Sequence, residues 1–375
     1  MAFEELLRTK EFRLTRQGRF LSAELLSAHS VLSTCARNGG QNKGIRFLVN
    51  HQSCEASGHD ERGRYIKELG LDGYHDSACR EIDLDPECVA MLGTAANMNY
   101  ASIVERCNGD LSVTAVVTAG VQGNAACAGD PAGWREMENG WDKIAPYSGT
   151  INTILLINRS MTEGTLARAV ITMTEAKTAA LQRLAIRSLY SPDLATGTGT
   201  DQFCLAAACD ARKPLTSASP HVVLGELIGT AVRDATLEAL RWQNGLEASY
   251  TRGIFHALGC YGIKEATFFE DIAPFLTERE LELLRKNSKS VIYEPLVAAA
   301  AYALASVMDR VRHGTLPAGA AGEGLRQQGA NLAVSLAASP RRWVEFYDRL
   351  DGTDWKRPER LILRAIALGW ASKWP

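Results

Sequence analysis

The first forty residues scatter apolar positions among many charges. "MAFEELLRTKEFRLTRQGRF" reads as a helix with a charged face, followed by a turn at "RNGGQNKG". "IRFLVN" (Ile45–Asn50) is a short apolar run after that turn and predicts a strand. "HQSCEASGHDERGRY", rich in His, Asp and Ser, reads as a loop. "LSVTAVVTAG" (Leu111–Gly120) alternates and is rich in β-branched residues, which predicts a strand, and "VQGNAACAGDPAGW" after it reads as a long loop of small residues. "GTINTILLIN" (Gly149–Asn158) is nearly continuous in its apolar half, the pattern of a strand buried on both faces. "ATGTGTDQFCLAAA" (Ala195–Ala208) is a glycine-threonine turn that runs into a further strand.

Two long segments follow the helical period instead. "MTEGTLARAVITMTEAKTAALQRL" puts Leu166, Val170, Met173, the aliphatic stem of Lys177 and Leu181 on one face, with Thr162 placed to cap it. "SPHVVLGELIGTAVRDATLEALRW" lines up Leu224, Leu227, Ile228, Ala231 and Ala235, and Gly225 and Gly229, four apart, would let it lie close to a neighbour. Beyond about residue 250 the texture changes. "LTERELELLRK" opens with the Thr277/Glu280 capping-box pattern, "YEPLVAAAAYALASVMDRVRHG" is a long alanine-rich helix, and "TLPAGAAGEG" reads as a linker. The pattern predicts an α/β protein: a mixed β-sheet core packed by helices over residues 1–250, with a C-terminal all-helical extension over 251–375.

Composition narrows the function classes. A formal net charge of −2 over 375 residues argues against a nucleic-acid-binding surface. No apolar run reaches the ~20 residues that span a bilayer, so no membrane insertion is expected. The N-terminus lacks the apolar core of a signal peptide, which points to the cytoplasm. The nine cysteines contain no C-x-x-C pair, so neither a structural zinc site nor a disulfide framework is signalled.

Three polar clusters sit at predicted element ends. In "TAGVQGNAACAGDP" (Thr118–Pro131), glycines such as Gly120 and Gly129 would let the backbone approach a ligand, while Thr118, Asn124 and Asp130 supply polar atoms. The string is neither a P-loop nor a G-x-G-x-x-G. The second cluster joins Thr150 and Asn152 to Thr174, Glu175, Lys177 and Thr178 of the following helix. Glu175 and Lys177 are about 200° apart around that helix and cannot face each other, whereas Thr174 and Lys177 can. The plainer reading is a solvated face. The third cluster, "TGTGTD" (Thr196–Asp201), offers the Thr198 and Thr200 hydroxyls and the Asp201 carboxylate as base or acceptor. His51 is either a general base or structural.

Taken in order, "TAGVQGNAACAGDP", "GTINTILLINRSMTEGTLARAVITMTEAKTAAL", "TGTGTDQFCLA" and "LGELIGTAV" resemble the adenosylcobinamide amidohydrolase (CbiZ) family. The resemblance runs from about residue 110 to 240, and more loosely back to "NGG" and "NHQ" near Asn38 and Asn50. It implies an enzyme of corrinoid salvage that hydrolyses the amide joining the aminopropanol arm to the corrin ring, giving adenosylcobyric acid. No cofactor would be held by the protein; cobalt would enter as part of the small-molecule substrate. On this reading Glu175 activates water, with Asp201 as the rival base. Lys177, Asn152 and the Thr198–Thr200 backbone supply charge and donors, and Gly120–Gly129 lie against the flat ring. A Thr198 or Thr200 nucleophile is the alternative.

Other classes fit some of the same residues. A relative could hydrolyse another large amide or metal chelate, and a corrinoid- or tetrapyrrole-binding protein would need no turnover. A metal-dependent hydrolase would use His51, Cys54, His59 and Asp60. The late tryptophans Trp343, Trp355, Trp370 and Trp374, with "FYDRL", would cover a ligand or a second subunit, which leaves room for a homo-oligomer.

Overall fold

The computed structural model describes residues 3–53, 59–138, 140–143, 149–352 and 356–373. The chain divides into two compact units, Met1–Leu246 and Glu247–Pro375. The first unit begins with strands β1 (Phe3–Arg8), β2 (Phe12–Gln17), β3 (Phe20–Leu25), β4 (His29–Ser33), β5 (Gly40–Asn42) and β6 (Phe47–Gln52). Helix α1 (His59–Glu81), kinked at Gly70, leads to β7 (Val89–Thr94), β8 (Ser102–Asn108) and β9 (Leu111–Ala119). The short pieces β10 (Ala125–Ala126), β11 (Trp134–Met137) and β12 (Gly140–Lys143) precede β13 (Ile151–Ile157). Helix α2 (Glu163–Arg183), β14 (Gly197–Thr198), β15 (Gln202–Ala208) and α3 (Val223–Asn244) complete the unit.

Two sheets carry the fold, one in the order β1-β2-β3-β6-β7 and one in the order β5-β4-β15-β13-β9-β8. Only β6/β7 and β13/β15 pair in parallel among the pairs within these sheets. A parallel pair needs a long crossover, and α2 supplies it between β13 and β15. Leu14, Leu21, Leu48, Leu92, Ile154 and Leu156 pack between the sheets. Behind the six-stranded sheet, Val117, Leu155 and Leu205 meet Leu166 and Met173 of α2 and Ile228 of α3. Ala78 and Cys79 of α1 cover Phe20, Val49 and Val89 on the outer face of the five-stranded sheet. The layers are therefore helix, sheet, sheet, helices. β13 is buried along its whole length, as its continuous apolar run predicts. Its pleat sends Asn152, Ile154 and Leu156 between the sheets and Ile151, Thr153 and Leu155 towards α2.

The helical reading of residues 1–40 is corrected by its described part, since residues 3–40 hold β1 to β4 and the start of β5. The charges taken for a helical face are cross-strand partners: Glu4 lies opposite Arg16, and Arg13 opposite Glu24. Arg13 Nε donates to Glu24 Oε2 at 3.0 Å and Arg16 Nε to Glu4 Oε2 at 3.2 Å. Their spacing serves a period of two across a hairpin, not 3.6 along a helix. The stretch "HQSCEASGHDERGRY" is likewise not all loop: His51 and Gln52 end β6, and from His59 onward the chain is helical. The capping hydroxyl of Thr162 accepts from Thr165 N at 3.2 Å, as expected. Of the two glycines of α3, only Gly225 is tight. A Cβ there would sit 1.9 Å from Ser219 O, in the approach to the helix, while nothing lies within 4 Å of one at Gly229.

Among the described residues the regular structure of the second unit is all helical. Its long helices are α4 (Pro295–Arg312), α5 (Ala318–Ala337) and α6 (Pro358–Ala371). The capping box is present: Thr277 caps the helix Glu278–Lys286, and the Glu280 carboxylate accepts from Thr277 N at 2.8 Å. The "TLPAGAAGEG" stretch is no linker beyond Pro317, since Ala318 starts α5. Alanine is the strongest helix former, and a Cβ at Gly324 would meet Val307 of α4 only at ordinary contact distance, 3.6 Å. Trp370 is core, only 1% exposed, and Trp343 stacks on Tyr347 with ring centroids 5.0 Å apart. Trp355 and Trp374 lie outside the described residues. No helix among the described residues is long and apolar enough to cross a membrane.

Candidate active site

The turn "TGTGTD" enters β15 where β13 begins, beneath the middle of α2. Lys177 of α2 and Asp201 of the turn meet there in an ion pair between Nζ and Oδ2, both side chains largely buried. Asp201 Oδ2 also accepts from Thr198 N at 3.0 Å. Its Oδ1 accepts from Ile151 N at 3.0 Å and from the Thr198 hydroxyl. A carboxylate offers about four lone-pair sites, and all are engaged. Gly197 makes the arrangement possible. A Cβ at this residue would lie 2.2 Å from Asp201 Oδ2 and 2.7 Å from Lys177 Nζ.

This ion pair forms part of the wall of a cleft of about 760 Å³. Thr174, Thr178, Thr198 and Asn124 present polar atoms to it, and Ala128, Pro131, Ala132 and Trp134 give it an apolar side. Thr178 ties helix to turn by donating to Thr196 O at 2.9 Å, and Thr174 donates back to Val170 O at 2.9 Å. Asn124 is clamped, donating to Gly149 O and accepting from the Tyr190 hydroxyl, each at 2.9 Å. Asp130 accepts from Cys127 N and the Ser188 hydroxyl, each at 2.6 Å. Partial burial alone would raise its carboxyl, but these donors hold it below the ordinary value.

Of the residues named from the sequence, Asn124, Asp130, Thr174, Lys177, Thr198 and Asp201 share this cleft. Thr200 sits beside it and braces the loop. Its hydroxyl donates to Gly149 O at 2.6 Å and lies 2.6 Å from Thr150 Oγ1. Gly120 donates its amide to Thr150 O at 3.0 Å, and neither it nor Gly129 lines the cleft. Glu175 is exposed on α2 and lies outside the lining, to which the helix contributes Thr174, Lys177 and Thr178.

Asn152 and Thr118 are placed elsewhere, in the layer between the sheets. Asn50 donates to Thr118 Oγ1 at 2.7 Å, and Asn152 Nδ2 donates to Asn50 Oδ1 at 2.9 Å. His51 faces the other way, stacked on Phe20 at 4.2 Å under α1, where it lines a separate cavity of about 100 Å³. Cys54 lies outside the described residues. Among the described residues no group of three His, Cys, Asp or Glu is placed to hold a metal ion.

Tyr190 and Trp134 line the cleft and Ser188 holds Asp130 beside it, and periodicity singles out none of the three. Tyr190 and Ser188 lie in the irregular stretch after α2, and only the fold brings them to Asn124 and Asp130.

The adenosylcobinamide amidohydrolase model matches residues 4–248, so it spans the first unit. An uncharacterized protein of Methanocaldococcus jannaschii is 32% identical over 243 residues, which is 62% of this chain and 90% of that protein. A crystal structure of a Pyrococcus horikoshii protein covers 63% of this chain and 80% of its own at 12% identity. Its TM-score of 0.30 is too low to establish a shared fold. The match over 4–248 contains every residue of the cleft, and the chain belongs to the adenosylcobinamide amidohydrolase family.

Proposed function

We propose that the protein hydrolyses the amide joining the aminopropanol arm of adenosylcobinamide to the corrin, releasing adenosylcobyric acid and the amino alcohol. One observation carries the reading: a Lys177–Asp201 pair, with a hydroxyl bonded to its carboxylate, forms part of the wall of a wide cleft with an apolar side. The alanine, proline and tryptophan side would accept a flat ring, with its cobalt as part of the substrate. The polar side would meet the amide.

The hydrogen bonds favour Thr198 as the nucleophile. Asp201 has no lone pair left over to hold a water, so its nearest proton source is the Thr198 hydroxyl that already donates to it. Attack of Thr198 Oγ1 on the amide carbon forms a C–O bond and passes the hydroxyl proton to Asp201. Two of the three Lys177 protons remain for the developing oxyanion and the leaving nitrogen. As the C–N bond breaks, Lys177 protonates the nitrogen and recovers a proton from Asp201 across the ion pair. Water then cleaves the ester by the same route, giving the carboxylic acid and restoring Thr198. Thr200 suits this role less well, because its proton is committed to Gly149 O.

The test is incubation with adenosylcobinamide, with cobyric acid and aminopropanol followed by mass spectrometry, beside Asp201→Asn. Product from the wild type alone supports the reading. Corrinoid binding without product from either protein would replace the enzyme with a binding protein.

A further inference from the structure

The Lys177–Asp201 pair has a second side. Together with Thr174, these residues also bound a smaller cavity of about 210 Å³, so the pair stands where two cavities meet. The small cavity lies under α2 on the helix-facing side of the six-stranded sheet. Met173 and Phe203 give it apolar walls, and Thr153 lines it from β13, directly opposite Phe203 in the parallel register. Thr34, at the end of β4, has its hydroxyl occupied, accepting from Phe203 N at 3.0 Å. Thr153 is only 4% exposed, and it is a polar residue on the wall of this space. A polar side chain on the wall of a small space with apolar sides is placed to bond a polar group that enters it.

We propose that this cavity is the leaving-group pocket, the site of the small amino alcohol released when the amide is cut. This rests on the reaction proposed above. At ~30 Å³ per water, the space holds about seven waters. That is ample for a three-carbon amino alcohol and far too little for a corrin. The division of sizes fixes the direction of the substrate: ring in the large cleft, amine arm in the small cavity, scissile amide across the ion pair. Phe203 and Met173 take the methyl and methylene groups of the arm, and the Thr153 hydroxyl takes its hydroxyl. Lys177, at the junction, then stands beside the nitrogen that must be protonated.

Two amides test the assignment: adenosylcobinamide, and the cobyric acid amide of propylamine, which keeps the carbon chain and loses the hydroxyl. The wild type should favour adenosylcobinamide in kcat/KM. Thr153→Val, nearly isosteric, should lower kcat/KM for adenosylcobinamide by about 3- to 10-fold, the worth of one hydrogen bond, and leave the propylamide unchanged. An equal loss on both amides, or no loss on either, overturns the pocket. A turnover-free arm separates the two claims. Free 1-amino-2-propanol titrated into the wild-type protein should shift the Met173 methyl resonance, and more weakly in Thr153→Val. That shift without any hydrolysis of adenosylcobinamide would keep the pocket and discard the reaction. Hydrolysis without the shift or the Thr153→Val effect would keep the reaction and discard the pocket.

Discussion

Lys177 and Asp201 are 24 residues apart in the chain and meet as an ion pair under α2. One comes from the middle of a crossover helix, the other from the last residue before the parallel strand that this helix leads to. Such a pair is expensive to desolvate and strongly destabilising to break by halves, since the partner left behind is a buried charge. Here each partner also holds part of the cleft, so removing either has both a chemical and a structural effect.

Asp201→Asn should abolish turnover by about 10³-fold or more, the scale lost with a general base, while the exposed Glu175→Gln should keep near wild-type activity. Steady-state rates of the two variants decide this directly. A large loss in Glu175→Gln with Asp201→Asn active would return the base to α2's outer face.

The two turn hydroxyls should behave differently. Thr198→Ala should lose turnover and Thr198→Ser should recover much of it, with an acyl-enzyme trapped at residue 198 in a quenched reaction. Thr200→Ala removes the brace to Gly149 O and the contact with the Thr150 hydroxyl, and should cost about 1–2 kcal/mol of stability. An active Thr198→Ala would make water the nucleophile.

Gly197→Ala is the smallest change that should disable the site. The added methyl would occupy the space of Asp201 Oδ2 and Lys177 Nζ, so the pair must part. The expected result is a folded protein, by circular dichroism, with turnover reduced at least tenfold.

Asn50→Ala tests the other placement. It takes one of two acceptors from Asn152 Nδ2, leaving Gly93 O, and the donor from Thr118 Oγ1 in the layer between the sheets. Urea unfolding should show a loss of about 2–3 kcal/mol, with kcat close to the wild type at temperatures where the variant is folded. A selective loss of kcat would put Asn152 back into the chemistry.

Acid stability should depend on Asp210, just beyond β15. Burial pushes its carboxyl up, but the Ser160 hydroxyl at 2.7 Å and Arg212 outweigh this and hold it down to about 2, against 3.8 ordinarily. A depressed carboxyl contributes stability above its ordinary value and loses it as pH falls through the folded one. Asp210→Asn should therefore be less stable near neutrality by about 1–2 kcal/mol. The gap to the wild type should close between about pH 4 and pH 2. A gap independent of pH would mean that the charge contributes nothing.

Much of this architecture is legible in the sequence where periodicity is strong and locally decided. β9, β13, α2 and α3 carry unbroken apolar patterns, and Thr162 and Thr277 cap where their spacing requires. The N-terminal strands were hidden because Arg13 and Arg16 find their partners across a hairpin, and a charged helix face looks the same in one dimension. In the cleft, Lys177, Asp201 and Thr198 stand in strings that resemble the family. Asn152 misleads because it is polar on a buried strand, and only the strand's pleat shows that it turns away from the cleft. Glu175 misleads by proximity, two residues from Lys177 and on another face.

The amide of Ile151 ends on Asp201 Oδ1 at 3.0 Å, just before the parallel register with β15 opens at Asn152 and Gln202. A side-chain carboxylate thus takes the place of the ladder's first carbonyl. The sheet is wired to the chemistry by one backbone proton. Any event that protonates or displaces Asp201 will register in the exchange rate and the ¹⁵N resonance of Ile151, so that a single amide gives the sheet its own spectroscopic gauge of that carboxylate.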